Sequence, residues 1–270
     1  MPVGLHAVYE TSYISALERA AALGFDYVQF DLNVPGFYID EISKTDISNI
    51  KRTAKREGVG ITFHAPGDNI GLFTDYPEIR SGMLKHFARI MNIAEELEAR
   101  HVTFHPLWPP SFKTADTHED LFGERHFGYF KKVLTENLLA LCEGKHVYAC
   151  IENHRIDSVA MAALNDSFIL SETIALTLDI PKTLTISGDL NQTLLEFYGK
   201  NLARLKEVHL HDRDEQGRTH LAPGQGLIDF SRFAEFLAIE DAWITVEVRP
   251  AELAAAAIPW LRSFRDSFGR

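Results

Sequence analysis

The feature that most constrains this chain is an alternation, repeated eight times, of a short apolar run with a longer segment of helical periodicity. PVGLHAV reads as a first strand, and SYISALERAAALG as a helix in which Ile14, Leu17, Ala20 and Ala21 recur at helical spacing before Gly24 ends it. FDYVQFDL, VGITFH, HVTFH, HVYACIE, TLTISGD, VHLH and AWITVEV supply the other strands. Helices are expected from about Asp40 to Glu57, from near Pro77, at KKVLTENLLALCEG, near DSFILSETIALTL, near QTLLEFYGKNLARL, at DFSRFAEFLAI and at AELAAAAIPWLRSF. Alternating βα units imply parallel strands with right-handed crossovers, and eight of them permit closure into a barrel. The rival doubly wound sheet calls for a Gly-rich phosphate turn after the first strand. That turn is AVYETSY, without glycine. The chain has 270 residues, close to the ~250 such a barrel occupies. The expectation is therefore one α/β domain, a (β/α)8 TIM barrel over residues 1–270.

Composition narrows the partners. Hydrophobic content of 46% with 24% charged residues suits a globular protein with a sizeable core. A net charge of −11 repels phosphates at long range, which disfavours nucleic acid and anionic membrane. No apolar stretch approaches the ~20 residues of a membrane span, and MPVGLHAVYE lacks the basic and apolar regions of a secretory signal. Cys142 and Cys150 suggest no disulfide framework, so a reduced, cytoplasmic setting is expected.

A row of acidic and imidazole side chains stands at the C-terminal ends of the strands: His64 in ITFHAP, His105 in VTFHP, Glu152 in YACIENH, Asp189 in TISGDLNQ, His209 and His211 in EVHLHD, and Glu247 in ITVEV. That end of a βα barrel carries the active site. Side chains alternate along a strand, so His209 and His211 share a face. Carboxylates and imidazoles without paired cysteines suit a divalent ion such as Mn²⁺, Zn²⁺, Co²⁺ or Mg²⁺. For each residue taken singly, a loop-anchoring hydrogen bond is the bland alternative. His6 and Asp31 also end strands and read as structural, whereas His101 and His146 begin theirs and belong to the opposite, stability face. The long fourth connection, with Leu107, Trp108, Pro109, Pro110 and Phe112, suggests either an aromatic lid or a contact within a homo-oligomer.

These segments resemble the xylose-isomerase-like barrel superfamily, which groups sugar isomerases and epimerases with the endonuclease IV type of DNA-repair enzyme. The resemblance is carried by ISALERAAALGFDYVQF, FHAP, FHP, IENH, LKEVHLHD and HLAPGQGLIDF, in that order. It implies Glu152, Asp189, His209 and Glu247 as metal ligands. The ligand of the family's seventh strand stands three residues before an acid, a spacing met by His209 and also by His211, with His209 the better match. The implied chemistry is proton transfer next to the carbonyl of a small sugar or sugar derivative, with Glu152 and Glu247 removing and returning the proton. His64, His105, Gln192, His211, Arg218 and His220 would then hold substrate.

Two departures bear on the alternatives. The endonuclease type has a His three residues after the sixth-strand Asp, where this chain, aligned on Asp189, has Gln192, and an Asp two residues before His220, where it has Arg218. A guanidinium at a cation site is hostile to a third metal. A metal-dependent hydrolase or phosphodiesterase is the second reading, and a barrel that binds sugar without turning it over is the third.

Overall fold

The computed structural model describes residues 1–67, 70–107, 112–116, 120–185 and 188–268. Eight parallel strands close on themselves in sequence order, β1 pairing with both β2 and β8. They are β1 (Val3–Ala7), β2 (Tyr27–Asp31), β3 (Gly60–His64), β4 (His101–Phe104), β5 (Tyr148–Glu152), β6 (Ile174–Asp179), β7 (Leu205–Leu210) and β8 (Trp243–Val246). The helices are α1 (Tyr13–Leu23), α2 (Lys44–Glu57), α3 (Pro77–Glu96), α4 (Leu121–Cys142), α5 (Ser158–Leu170), α6 (Gln192–Lys200), α7 (Ala234–Leu237), α8 (Ala251–Ala255) and α9 (Ala257–Phe268). The chain is thus a single TIM barrel, as its alternation implies. Among the described residues no helix is long and apolar enough to cross a membrane.

Local chemistry sets the helix ends. Ser12 and Ser15 form a reciprocal capping box at the start of α1, and Ser43 with Asp46 does the same for α2. Gly24 and Gly58 end these helices at φ 82° and 68°, left-handed values that a side chain would strain.

The sixth unit departs from the sequence expectation. Asp157 caps α5 through the Ala160 N–H, and the helix stops at Leu170. IALTLD, expected in a helix, is β6 and is buried throughout. TLTISGD, expected as the strand, follows β6 and contributes no strand to the barrel among its described residues, with Leu184 and Leu190 joined by an isolated bridge. A run buried on both faces shows no alternation in its hydropathy, so periodicity could not separate it from the helix before it.

The two faces of the barrel wall have opposite characters. Leu5, Val28, Phe30, Ile61, Phe63, Val102, Phe104, Ile151, Leu176, Leu178, Val208, Ile244 and Val246 are buried in the hydrophobic core, on strand positions that alternate with the polar ones. Gln29, Thr103, Thr177, Glu207, His209 and Thr245 meet across the barrel and are each 0% exposed. A bulge that skips Lys206 sets Glu207 opposite Thr177. Interior layers of such barrels are usually aliphatic. Here the interior is hydrogen-bonded instead.

Aromatic rings close the N-terminal end. Tyr27 is fully buried, its ring centroid 4.7 Å from that of Trp243, and the Arg100 guanidinium lies 4.8 Å from the Trp243 centroid. A Cβ on Gly4 would come within 2.2 Å of the Tyr27 ring, so only glycine admits this packing.

Candidate metal centre

The strand ends converge at the C-terminal mouth. Glu152 at the end of β5, Asp179 at the end of β6 and His209 on β7 offer donor atoms that all lie within 4.8 Å of one another, and all three are buried. Glu247, one residue past β8, brings Oε1 to 3.2 Å from His209 Nδ1, and Glu152 Oε2 lies 3.5 Å from the same nitrogen. His209 Nδ1 makes no hydrogen bond among the described residues, and Asp179 Oδ2 has only its ion pair with Lys182. Buried polar atoms are seldom left so. Together with the two glutamates they form a donor set of the kind a divalent cation takes.

Beneath the centre lies a carboxylate that the mouth-centred sequence reading does not contain. Glu207 is fully buried inside the barrel. Its Oε1 accepts from Gln29 at 2.7 Å and Thr245 at 2.5 Å, and its Oε2 from Thr103 at 2.5 Å and Thr177 at 3.0 Å. His101 Nε2 and His209 Nε2 each lie 3.1 Å from it. Burial opposes the charge, but these two imidazoles outweigh it and hold Glu207 well below the carboxylate range. His101, the first residue of β4, sits at the N-terminal end with its ring 6.2 Å from that of Trp243, and reaches Glu207 from there. By keeping a proton on His209 Nε2, Glu207 leaves Nδ1 as the nitrogen turned to Glu152 and Glu247.

His209 on β7 and His211, one residue past it, turn different nitrogens to the centre. His211 Nδ1 accepts the His220 backbone N–H at 3.1 Å, so its proton sits on Nε2. That N–H faces Asp179 Oδ1 at 3.6 Å and Glu247 Oε2 at 3.5 Å. His211 thus presents a donor to the centre, and His209 presents the lone pair. Without a bound cation His209 is protonated: burial lowers its pKa, but Glu247 and Glu207 raise it to about 10.

The remaining expected residues divide. His64 Nε2 and His105 Nε2 approach Glu152 Oε2 at 3.1 and 3.2 Å, a second group of three possible ligands. His154 stacks on His105 with centroids 4.2 Å apart, and burial, then the neighbouring His105, pushes its pKa down to about 4. His220 stacks on His211 at 4.4 Å and bonds the Glu247 carbonyl at 2.8 Å. Arg218 is exposed and pairs with Asp214, Nε to Oδ2 2.5 Å. Gln192 is exposed at the start of α6. Asp189, expected as the sixth-strand ligand, is an exposed residue beyond the strand, and the acid that ends β6 is Asp179. His6 is closer to the chemistry than a structural role requires, with Nε2 3.5 Å from Asp31 and Nδ1 3.8 Å from Glu247. Of the suggested aromatic lid, Trp108, Pro109 and Pro110 lie outside the described residues, and Phe112 is exposed.

One cation enters the cluster unannounced. Lys182, three residues after Asp179, contacts Glu152 Oε1 and places Nζ 2.8 Å from Asp179 Oδ2. Burial disfavours its charge, but Asp179 and Glu152 hold its pKa well above the usual lysine value. The carboxylates respond in kind. For Glu152 and Asp179 burial is opposed chiefly by Lys182, and both stay well below their ordinary range. For Glu247 burial is opposed by His209 and His6, and the pKa falls to about 2. All three are carboxylates at neutral pH.

Comparison with known proteins bears on the fold. A D-tagatose 3-epimerase-like protein shares the fold at 21% identity, TM-score 0.75, with each chain covered completely. A 3-keto-D-glucoside 4-epimerase from E. coli aligns at 17% identity and TM-score 0.70, covering 97% of this chain and 99% of its own. Endonuclease IV from Thermus thermophilus aligns at 16% identity and TM-score 0.68, covering 99% and 100%. At these identities the likeness is one of fold. No curated protein matches the chain by sequence. The family model of the xylose isomerase-like TIM barrel matches residues 17–264, and the chain belongs to that family.

Proposed function

We propose that this protein is a divalent-metal-dependent isomerase or epimerase that moves a proton next to the carbonyl of a small sugar or sugar derivative. The observation that carries the reading is the convergence of Glu152, Asp179 and His209 at the buried mouth, with Glu247 Oε1 3.2 Å from His209 Nδ1. A bound divalent ion would supply electrophilic stabilisation of the developing enediolate oxygens. Glu152 and Glu247, ionised at neutral pH, are the proton-transfer pair. His211, with its proton on Nε2, donates toward the substrate oxygens, and His64, His105 and His220 line the approach. The two epimerase neighbours support the substrate class by analogy of fold.

The test is solvent deuterium incorporation across a panel of ketoses, with Mn²⁺ or Co²⁺ added to chelator-treated protein. Glu152→Gln and Glu247→Gln should each abolish exchange, and retained exchange in either removes that residue from the proton-transfer role. A second reading, a phosphodiester hydrolase, is favoured by the second donor group of His64, His105 and Glu152. It requires two ions per chain and cleavage of a phosphodiester without exchange into any ketose.

A further inference from the structure

The point between Glu152 and Asp179 is filled by the protein itself. Lys182 lies on the short 3-10 turn Pro181–Thr183 that follows β6. That turn is tied down: the Lys182 N–H donates to Asp179 Oδ1 at 3.1 Å, and the Thr183 hydroxyl donates to the Ile180 carbonyl at 2.6 Å. The side chain turns back over the barrel mouth and sets its ammonium between the two carboxylates. A divalent ion held by both would need oxygens at ~2.0–2.2 Å. Nζ and its protons occupy that same space.

We propose that Lys182 is a tethered cation of the centre, and that its ammonium and a divalent ion exclude one another at Glu152 and Asp179. Metal entry then requires the side chain to leave Glu152 and Asp179. Two observations beyond the contacts support this. Without Lys182, the buried carboxylates of Glu152, Asp179 and Glu247 would face one another with one fewer cation between them, and like charges out of water disfavour one another. The Lys182 side chain is 33% exposed although its head group is engaged below, so a path to solvent is open. A lysine suits the task because its charge is compact and its stem flexible. The inference rests on the metal reading of the site.

The experiment titrates Mn²⁺ or Co²⁺ into chelator-treated wild type and Lys182→Met by calorimetry, with circular dichroism to establish that the variant is folded. In parallel, acylation of Lys182 by an amine reagent is followed by mass spectrometry with and without metal. Lys182→Met should bind the ion at least about tenfold more tightly, the equivalent of about 1.4 kcal/mol. Saturating metal should raise acylation of Lys182 in the wild type. Equal or weaker binding in a folded variant, or acylation indifferent to metal, overturns the proposal while leaving the metal site intact. If Lys182→Met does not fold, the acylation result decides alone. Failure of both proteins to take up metal overturns the proposal together with the metal-dependent function.

Discussion

Replacing Glu207 by Gln keeps the side-chain shape and removes the charge on which the interior is organised. The carboxylate accepts four side-chain hydrogen bonds and lies 3.1 Å from each of two imidazole nitrogens. Summing charged hydrogen bonds at ~1.5–3 kcal/mol each would exceed the stability of an ordinary domain. The amide also retains one acceptor oxygen. The governing cost is the loss of one partner from a buried ion pair, ~3–5 kcal/mol. We therefore expect Glu207→Gln to lower unfolding free energy by about 4 kcal/mol in urea titration, or Tm by roughly 10 °C for a chain of this size. His209 would at the same time lose the group that fixes its proton on Nε2, so affinity for Mn²⁺ or Co²⁺ should fall ~10–100-fold. Thr245→Val is the control. It deletes one neutral donor to Oε1 and the 2.7 Å partner of the buried Tyr27 hydroxyl, and should cost about 2–3 kcal/mol with little change in metal affinity. A Glu207→Gln loss below about 1 kcal/mol with unchanged metal binding would refute the view that this carboxylate supports the centre.

Asp179→Asn should abolish metal uptake in calorimetry, whereas Asp189→Asn should leave it unchanged; the reverse result would return the sixth ligand to Asp189. Asp212→Ala should free the segment that carries His220, because its carboxylate accepts the N–H groups of Arg213, Gly224, Gly226 and Ile228 at 2.8 to 3.1 Å. Hydrogen exchange across residues 213–228 should rise, with a stability loss of about 2 kcal/mol. Alkaline stability follows from Cys142, whose thiol burial raises from 9.0 to about 11. The fold keeps the neutral thiol, so this contribution is complete below pH 9 and is lost as the pH rises toward 11. It is worth about 3 kcal/mol, and Cys142→Ala should flatten the decline of unfolding free energy over that range.

The barrel was legible because most helices and most strands carry their own signal, with caps at Ser12 and Ser43, stops at Gly24 and Gly58, and polar side chains where the strands end, although α4 begins ten residues before and α5 eight residues before the expected segments. Glu152, His209 and Glu247 were found by that last rule. Asp179 was not, since IALTLD is buried on both faces and runs on from a helix, while TLTISGD is rich in β-branched residues and ends in an acid. Glu207 stands two residues inside its strand, where a rule about strand ends cannot look. Lys182 gave no signal of its own. Once Asp179 replaces Asp189, however, it occupies the position three residues after the sixth-strand acid, so the departure first assigned to Gln192 becomes a lysine aimed at the centre.

The aromatic floor has a kinetic consequence. With Tyr27 and Trp243 packed across the N-terminal end, and no room at Gly4 for even a methyl group, the interior is a cul-de-sac. Among the described residues the way in lies at the opposite end. Under the proposed activity substrate and product would share it, so departure would precede arrival, and a product that lingers would exclude its successor. Release from the mouth would then bear on the rate alongside proton transfer.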